Sequence, residues 1–404
     1  MEDRLKDKLN QIANSLIELD IKNNKNIGLH TGLTGMLLFH FYYYKFENSL
    51  HHHKRAEEII FRIVELIECN ENVFTFCDGI SGFFWTIEIL KEEGFIETNQ
   101  EIIGKEIDEL LFNQMMFEID NGNYDFLHGA LGIGLYFLKK HKNTTRKSKK
   151  NIYAQYLMRL LENLEKLAVK TTNGYYWHSK ISYNSHLKDV CDLGLSHGLS
   201  SILSFLALSY HISELKGLSE KLIISGVEFI ETLLKFNFST EFVLPNYILL
   251  DQKLESSMKI NSRLAWCYGD LGVGLTLLKV SELLNRKSVR TNSLNILKST
   301  LNRTDPLKYQ VKDAGICHGA FGLAKIYGNI YNKTRQDTFL TARNHWTSIG
   351  LDMANHKNIA GFKALINNLW IEDTSLLEGT SGIGLSILEI LHDKKSKWGE
   401  AFLI

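Results

Sequence analysis

His318-Gly319-Ala320-Phe321-Gly322 is the stretch on which the fold turns, because it recurs. The other copies are Thr31-Gly32-Leu33-Thr34-Gly35, Asp78-Gly79-Ile80-Ser81-Gly82, His128-Gly129-Ala130-Leu131-Gly132, His197-Gly198-Leu199-Ser200-Ser201, Tyr268-Gly269-Asp270-Leu271-Gly272 and Glu378-Gly379-Thr380-Ser381-Gly382. The fourth copy carries Ser201 in place of its second glycine. First glycines stand roughly 50 to 70 residues apart, room for two helices and their turns per repeat. A dense apolar run follows each copy, as in Met36-Leu37-Leu38-Phe39, and reads as a helix buried on most sides. Stretches such as Ala56 to Cys69 and Tyr153 to Ala168 alternate with these and read as outer helices with one wet face.

The glycines are expected to serve two ends. The first starts a helix from a backbone conformation closed to other residues, and the second removes a side chain where neighbouring helices crowd. Inner helices alternating with outer ones close as a solenoid or as a ring. In a ring the seven loops share one end, and the residue before each first glycine lines a common mouth: Thr31, Asp78, His128, His197, Tyr268, His318 and Glu378. Two intervals are longer than the rest, at about 171–195 and 236–263, and read as long loops of the kind that serve as lids or substrate grooves.

Composition agrees with a helical chain. Of 404 residues 44% are hydrophobic and only two, Pro245 and Pro306, are proline, which breaks helix interiors. The length allows two ordinary domains or one large domain built from repeats; the repeat spans the chain and favours a single domain over 1–404. Lys+Arg and Asp+Glu are both 46, so no overall basic field favours nucleic acid or an anionic membrane. The charged start, Met1-Glu2-Asp3-Arg4, lacks the apolar core of a signal peptide, and no run of about 18 apolar residues appears. Five cysteines, an odd and sparse set, argue against a disulfide framework and for a reducing cytoplasm.

Two of those cysteines hold equivalent places. Trp266-Cys267-Tyr268-Gly269 and Ile316-Cys317-His318-Gly319 both set cysteine two before the first glycine, in consecutive repeats. Consecutive repeats are neighbours, so the sulfurs are expected to approach, with the His318 imidazole beside them. Two thiolates and an imidazole suit one zinc ion per chain and leave one tetrahedral position open, the mark of a catalytic site. Cys77 has the same place in a distant copy and reads as structural; Cys69, in an outer helix, and Cys191, in the first long loop, read as buried structural residues. His51-His52-His53 reads as a solvated turn, and the basic run from Lys139 to Lys150 as an exposed linker.

With Trp-Cys-Tyr-Gly at 266–269, Cys-His-Gly-x-x-Gly at 317–322, Ser-His-Gly at 196–198 and seven glycine-rich loops, the chain resembles the lanthionine synthetase C family from about Gly28 to the last repeat. The resemblance implies an all-α fold, an α/α toroid of seven inner and seven outer helices. It implies zinc on Cys267, Cys317 and His318, and catalytic roles for His197, Asp125, Arg263 and Tyr268. Bland readings stand beside these: Asp125 as a helix cap, Arg263 as a surface charge. The implied reaction is the addition of peptide cysteine thiols to dehydroalanine or dehydrobutyrine in a dehydrated precursor peptide, giving lanthionine or methyllanthionine rings. A separate dehydratase and an export transporter are the implied partners, in the cytoplasm or at the membrane's surface through a biosynthetic complex. Rival readings are a LanC-like enzyme that adds glutathione to dehydrated residues, a helical toroid that binds peptides without catalysis, and sugar hydrolysis by Asp78 and Glu378.

Overall fold

Each first glycine ends a loop and starts a helix. The computed structural model describes residues 1–69, 73–96, 104–183, 186–236, 239, 241–250, 262–357, 359–392 and 396–404. Fourteen α-helices lie among them: α1 (Glu2–Glu18), α2 (Leu33–Glu47), α3 (Leu50–Cys69), α4 (Ile80–Glu92), α5 (Lys105–Asp120), α6 (Ala130–Asn143), α7 (Lys147–Leu167), α8 (Leu199–Ser209), α9 (Lys216–Leu233), α10 (Asp270–Leu284), α11 (Lys287–Ser299), α12 (Ala320–Thr334), α13 (Asp337–Asp352) and α14 (Thr380–His392). The even-numbered helices are the ones that follow the glycine copies, and they are buried nearly all round, as α4 is from Ile80 to Leu90. The odd-numbered ones are amphipathic: α1 buries Leu5, Leu9, Ile12, Ala13 and Leu16, one face at helical spacing.

The chain forms two compact units. The first joins residues 1–104 to 304–402, with Ile404; the second holds 105–303, with Leu403. In the first unit α14 packs on α2 and α1, so the last repeat meets the first, while α2 also packs on α3 and α4, and α12 on α13 and α14. In the second, α6 packs on α5, α7 and α8, α8 on α9 and α10, and α10 on α11. Within each unit, inner helices of successive copies touch, and each inner helix but α4 packs on an outer one. Among the described residues, no helix is long and apolar enough to cross a membrane.

The second glycines make room as expected, but the first glycines, Gly269 apart, serve a different end from the one expected. Gly32, Gly79, Gly129, Gly198 and Gly319 have φ between −101° and −141°, open to any residue; Gly269 alone among the first glycines is left-handed, at +94°. Their common reason is a close approach. The residue six before the first glycine curls back over it, so an added Cβ would lie 2.3 Å from the Asn26 carbonyl at Gly32, 2.2 Å from Val73 at Gly79, 2.3 Å from Asp192 at Gly198 and 2.1 Å from Arg263 at Gly269. The second glycine meets a carbonyl of its own loop and an apolar side chain of the neighbouring one: at Gly382, Leu376 O at 2.1 Å and Ile316 Cγ1 at 2.7 Å. Ser201 takes that place in the fourth copy, and its hydroxyl donates to the Gly198 carbonyl at 2.7 Å, leaving no unmet polar group.

Four sequence expectations need correction. The interval 171–195 is not a loop: β1 (Ala168–Thr171) pairs antiparallel with β2 (Gly174–Trp177), and β3 (Ser179–Tyr183) with β4 (His186–Asp192). From the second long interval β5 (Tyr247–Leu249) adds to β4, while residues 251–261 lie outside the described ones. β6 (Ala364–Ile366) and β7 (Leu369–Ile371) make one more hairpin. Cys191 is buried as expected, though on a strand, and burial pushes its thiol up; Cys69, at the end of α3, is exposed. The basic run is no linker at its start, since α6 extends to Asn143 and Lys139 and Lys140 are buried. Lys140 has a partner to justify that burial: Asp108 Oδ1 lies 3.9 Å away, and both Tyr136 and Tyr153 donate to the same carboxylate.

The histidine run is helical too. His52 turns inward from α3 and its Nδ1 sits 2.8 Å from Nδ1 of His40 on α2, both rings buried, with Tyr43 packed on the His52 ring. Such a contact needs one N–H donor and one bare acceptor, so the pair stays intact only while at least one ring is neutral. Burial pushes His40 well below the usual histidine range and His52 down to about 4. A histidine depressed in the folded state destabilises the fold once pH drops below the unfolded value of about 6.5. Between pH 7.5 and pH 5, His52 alone is expected to remove about 2 kcal/mol of stability. Chemical denaturation should show a smaller loss in His40→Leu/His52→Leu, and equal losses in the two proteins would refute the assignment.

Candidate functional site

The loops are tied to one another through their backbones. In the first unit the amides of Ile316 and Cys317 donate to Leu377 O (2.9 and 3.1 Å), Leu377 donates to His30 O (2.9 Å) and His30 to Cys77 O (2.9 Å). In the second unit Leu195 donates to Cys267 O at 3.0 Å. Every residue whose carbonyl takes part stands two before a first glycine, the place that Cys267 and Cys317 hold.

A second relation runs between neighbouring loops. In four copies the residue four before a first glycine faces the residue just before the next one. Where it is glycine, the next loop closes on bare backbone: an added Cβ on Gly28 would lie 2.8 Å from Asp78 Cα, on Gly194 2.9 Å from Tyr268 Cδ1, and on Gly315 3.0 Å from the Glu378 carbonyl. In the third copy that place is Asp125, and the residue it reaches is His197.

His197 Nδ1–H donates to Asp125 Oδ2 at 2.6 Å. The other Asp125 oxygen accepts the amides of Leu127 (2.8 Å) and His128 (2.7 Å), which fixes the carboxylate before it meets the ring. Burial alone would raise the Asp125 pKa and depress that of His197, but the mutual hydrogen bond and opposite charge outweigh it: Asp125 is held below its ordinary value and His197 above. Asp125 is therefore the orienting carboxylate of a histidine, beyond the helix-cap reading. The His128 ring stacks at 6.1 Å from His197 on one side, and Tyr268 lies at 6.4 Å on another.

Sequence reasoning missed what lies beneath Tyr268. Asp192, at the end of β4, is buried, and one oxygen accepts the Gly194 amide at 2.7 Å. It also engages the Tyr268 phenol; burial pushes Asp192 up to about 6, and burial with the Asp192 charge pushes the phenol up. Asp192 stands six before Gly198, where Asn26, Asn123, Asp313 and Asp373 stand in other copies, each bonding a backbone amide two residues on. The turn-forming job hid the second one.

Arg263 takes the same place in the fifth copy. It is partly buried, and its Nη1 lies 3.8 Å from Cys267 Sγ, so it is no free surface charge. Cys267 is buried, and the positive φ of Gly269 lets Arg263 curl back over the loop. In the other unit Cys317 and His318 stand with Glu378: one donor atom from each lies within 4.8 Å of the others. His318 Nδ1 is 3.4 Å from Glu378 Oε1 and Nε2 is 3.6 Å from Asp313 Oδ2. Thiol, imidazole and carboxylate at this separation fit a divalent ion of zinc's preferences.

Residues 23–403 match the model of the family described as lanthionine synthetase C-like protein. The chain belongs to that family. Among relatives it is similar to the nisin biosynthesis protein NisC of Lactococcus lactis subsp. lactis, 23% identical over 342 residues that cover 79% of each chain. A solved structure titled nisin cyclase is similar at 20% identity with a TM-score of 0.72, over 99% of this chain and 96% of that one. The fold class is accordingly the all-α, α/α toroid of that structure, with hairpins added at the loops.

Replacing Asp125 by Asn should lower the His197 pKa, since it removes the charge that offsets burial. Histidine titration by NMR is the measurement; an unchanged His197 midpoint would separate the two residues in solution.

Proposed function

We propose that this lanthionine synthetase C-like enzyme closes thioether rings in a dehydrated precursor peptide, with a zinc ion on Cys267, Cys317 and His318. The observation that carries the reading is the His197–Asp125 pair beside Tyr268 and the Cys267 loop, in a chain that belongs to this family. A zinc ion in such a site supplies the means to keep a peptide thiol ionised near neutral pH, where a free thiol of pKa about 8.5 is mostly protonated.

The chain's own residues handle the rest. Addition of sulfur to a dehydroalanine or dehydrobutyrine leaves an electron pair on the carbon next to the carbonyl, which must be stabilised and protonated. His197 is suited to deliver that proton: Nδ1 is committed to Asp125, so Nε2 is the nitrogen that exchanges, and the Asp125 charge keeps the ring protonated above the ordinary histidine range. Tyr268, held un-ionised by burial and the Asp192 charge, has its one O–H engaged with Asp192 and keeps its ring beside His197. Arg263 supports the Cys267 sulfur and restrains its loop. The dehydratase and the exporter of such a pathway are separate proteins in this reading.

His197→Asn should leave metal content unchanged and lower ring closure by about two orders of magnitude or more. The assay is incubation with a dehydrated, cysteine-containing peptide, followed by thiol alkylation and mass measurement. Loss of alkylation without a change in mass reports a ring; a gain of glutathione mass when glutathione is present reports the rival intermolecular reaction. Because His197 is raised by Asp125, the rate is expected to fall as pH rises through its titration, and Asp125→Asn should move that fall to lower pH. Normal closure by His197→Asn would overturn the role assigned to it.

A further inference from the structure

We propose that Glu378 is a further ligand of the zinc, beside Cys317 and His318. This rests on the zinc reading above and extends it to a residue that the motif logic assigned only to the mouth.

The first ground is distance. Two donors on one tetrahedral ion with bonds of about 2.0–2.2 Å stand about 3.4 Å apart, and His318 Nδ1 to Glu378 Oε1 is 3.4 Å. The three-way cluster with Cys317 Sγ stays within 4.8 Å. The second ground is the other side of the ring. Nε2 faces Asp313 Oδ2 at 3.6 Å, so Nδ1 is the nitrogen left for an ion, and Asp313 is the carboxylate that orients the ligand from behind. Asp313 is itself pinned, its Oδ1 by the Gly315 amide at 3.0 Å and its Oδ2 by the Leu365 amide of β6 at 3.1 Å.

The third ground is the room made for Glu378. Gly315 is the residue four before the first glycine of its copy, and an added Cβ there would lie 3.1 Å from both Glu378 Cα and Oε2. Bare backbone at this point lets the carboxylate settle against the sixth loop. The fourth ground is access: the Glu378 and His318 side chains are 15% and 21% exposed, so a peptide thiol can reach them.

The test uses the full chain, with zinc affinity from chelator competition and the visible spectrum of the cobalt(II) form, both without peptide. Glu378→Gln should weaken zinc binding by about 10- to 100-fold and shift the cobalt bands. Glu378→His, which restores a donor, should recover affinity with a different spectrum and serves as the check that the loop still folds. If the wild-type protein holds no zinc, the underlying reading fails. If it does hold zinc and Glu378→Gln matches it in affinity and in cobalt spectrum, Glu378 lies outside the shell and this proposal alone is overturned.

Discussion

The backbone bond between neighbouring loops is the constraint on which the site depends. A carbonyl two before one first glycine accepts an amide of the adjacent copy, as Cys77 accepts from His30, His30 from Leu377 and Leu377 from Cys317. That bond fixes the separation of adjacent loops to within a few tenths of an ångström, and side chains at neighbouring places inherit the precision. It requires the loops to lie almost in contact, and contact requires the glycines. A methyl group on a first glycine would sit 2.1–2.3 Å from a carbonyl of its own loop at Gly32, Gly79, Gly198 and Gly269, distances no real Cβ shows. The inner helices, buried on nearly every side, hold the loops from behind. The chemistry-bearing residues thus ride on backbone fastened at both ends, and their geometry is set before any ligand arrives.

Variation between copies is what turns this scaffold into a site. In four copies the residue four before the first glycine meets the residue just before the next one: Gly28 with Asp78, Asp125 with His197, Gly194 with Tyr268 and Gly315 with Glu378. Glycine at this place lets the next loop settle close; aspartate at it reaches a histidine and raises its pKa. The place six before the first glycine is varied the same way. Asn26, Asn123, Asp313 and Asp373 use it for a turn, Asp192 for a turn and a grip on Tyr268, and Arg263 for an approach to a sulfur. One local fold presents different functional groups at equivalent points.

Much of this was legible in the sequence because glycine spacing and apolar runs report backbone contact directly. The inner helices begin where the copies place them, and Asp125 and His197, both singled out in the sequence, meet in the structure. What escaped reading were interactions that look like something else along the chain. Asp192 and Asp313 carry the signature of a turn residue, and nothing local says that their carboxylates also face Tyr268 and His318. The strands between 168 and 192 are short, and runs such as Ala-Val-Lys-Thr and Gly-Tyr-Tyr-Trp lack the apolar alternation that marks a half-buried strand. His52 looks like part of an exposed run because its partner, His40, stands a full helix away in an apolar stretch. Lys140 is buried against Asp108, a residue of another helix. Each missed feature depends on a partner from a different element, which periodicity within one segment cannot report.

The electrostatics of the two carboxylates near Tyr268 and His197 follow from who else bonds them, not from depth. Both are buried, yet Asp125 is lowered and Asp192 raised. Asp125 accepts two amides and an imidazolium, enough donors to offset desolvation; Asp192 accepts one amide and a neutral phenol, which are not. The same contrast sorts their partners. His197 gains a proton's stability from the ionised neighbour, while Tyr268 keeps its proton because the group it faces is acidic and enclosed. His197 and Tyr268 therefore stand near one another with their pKa values raised by different causes, the first by an ionised neighbour that outweighs burial and the second by burial together with a neighbouring charge.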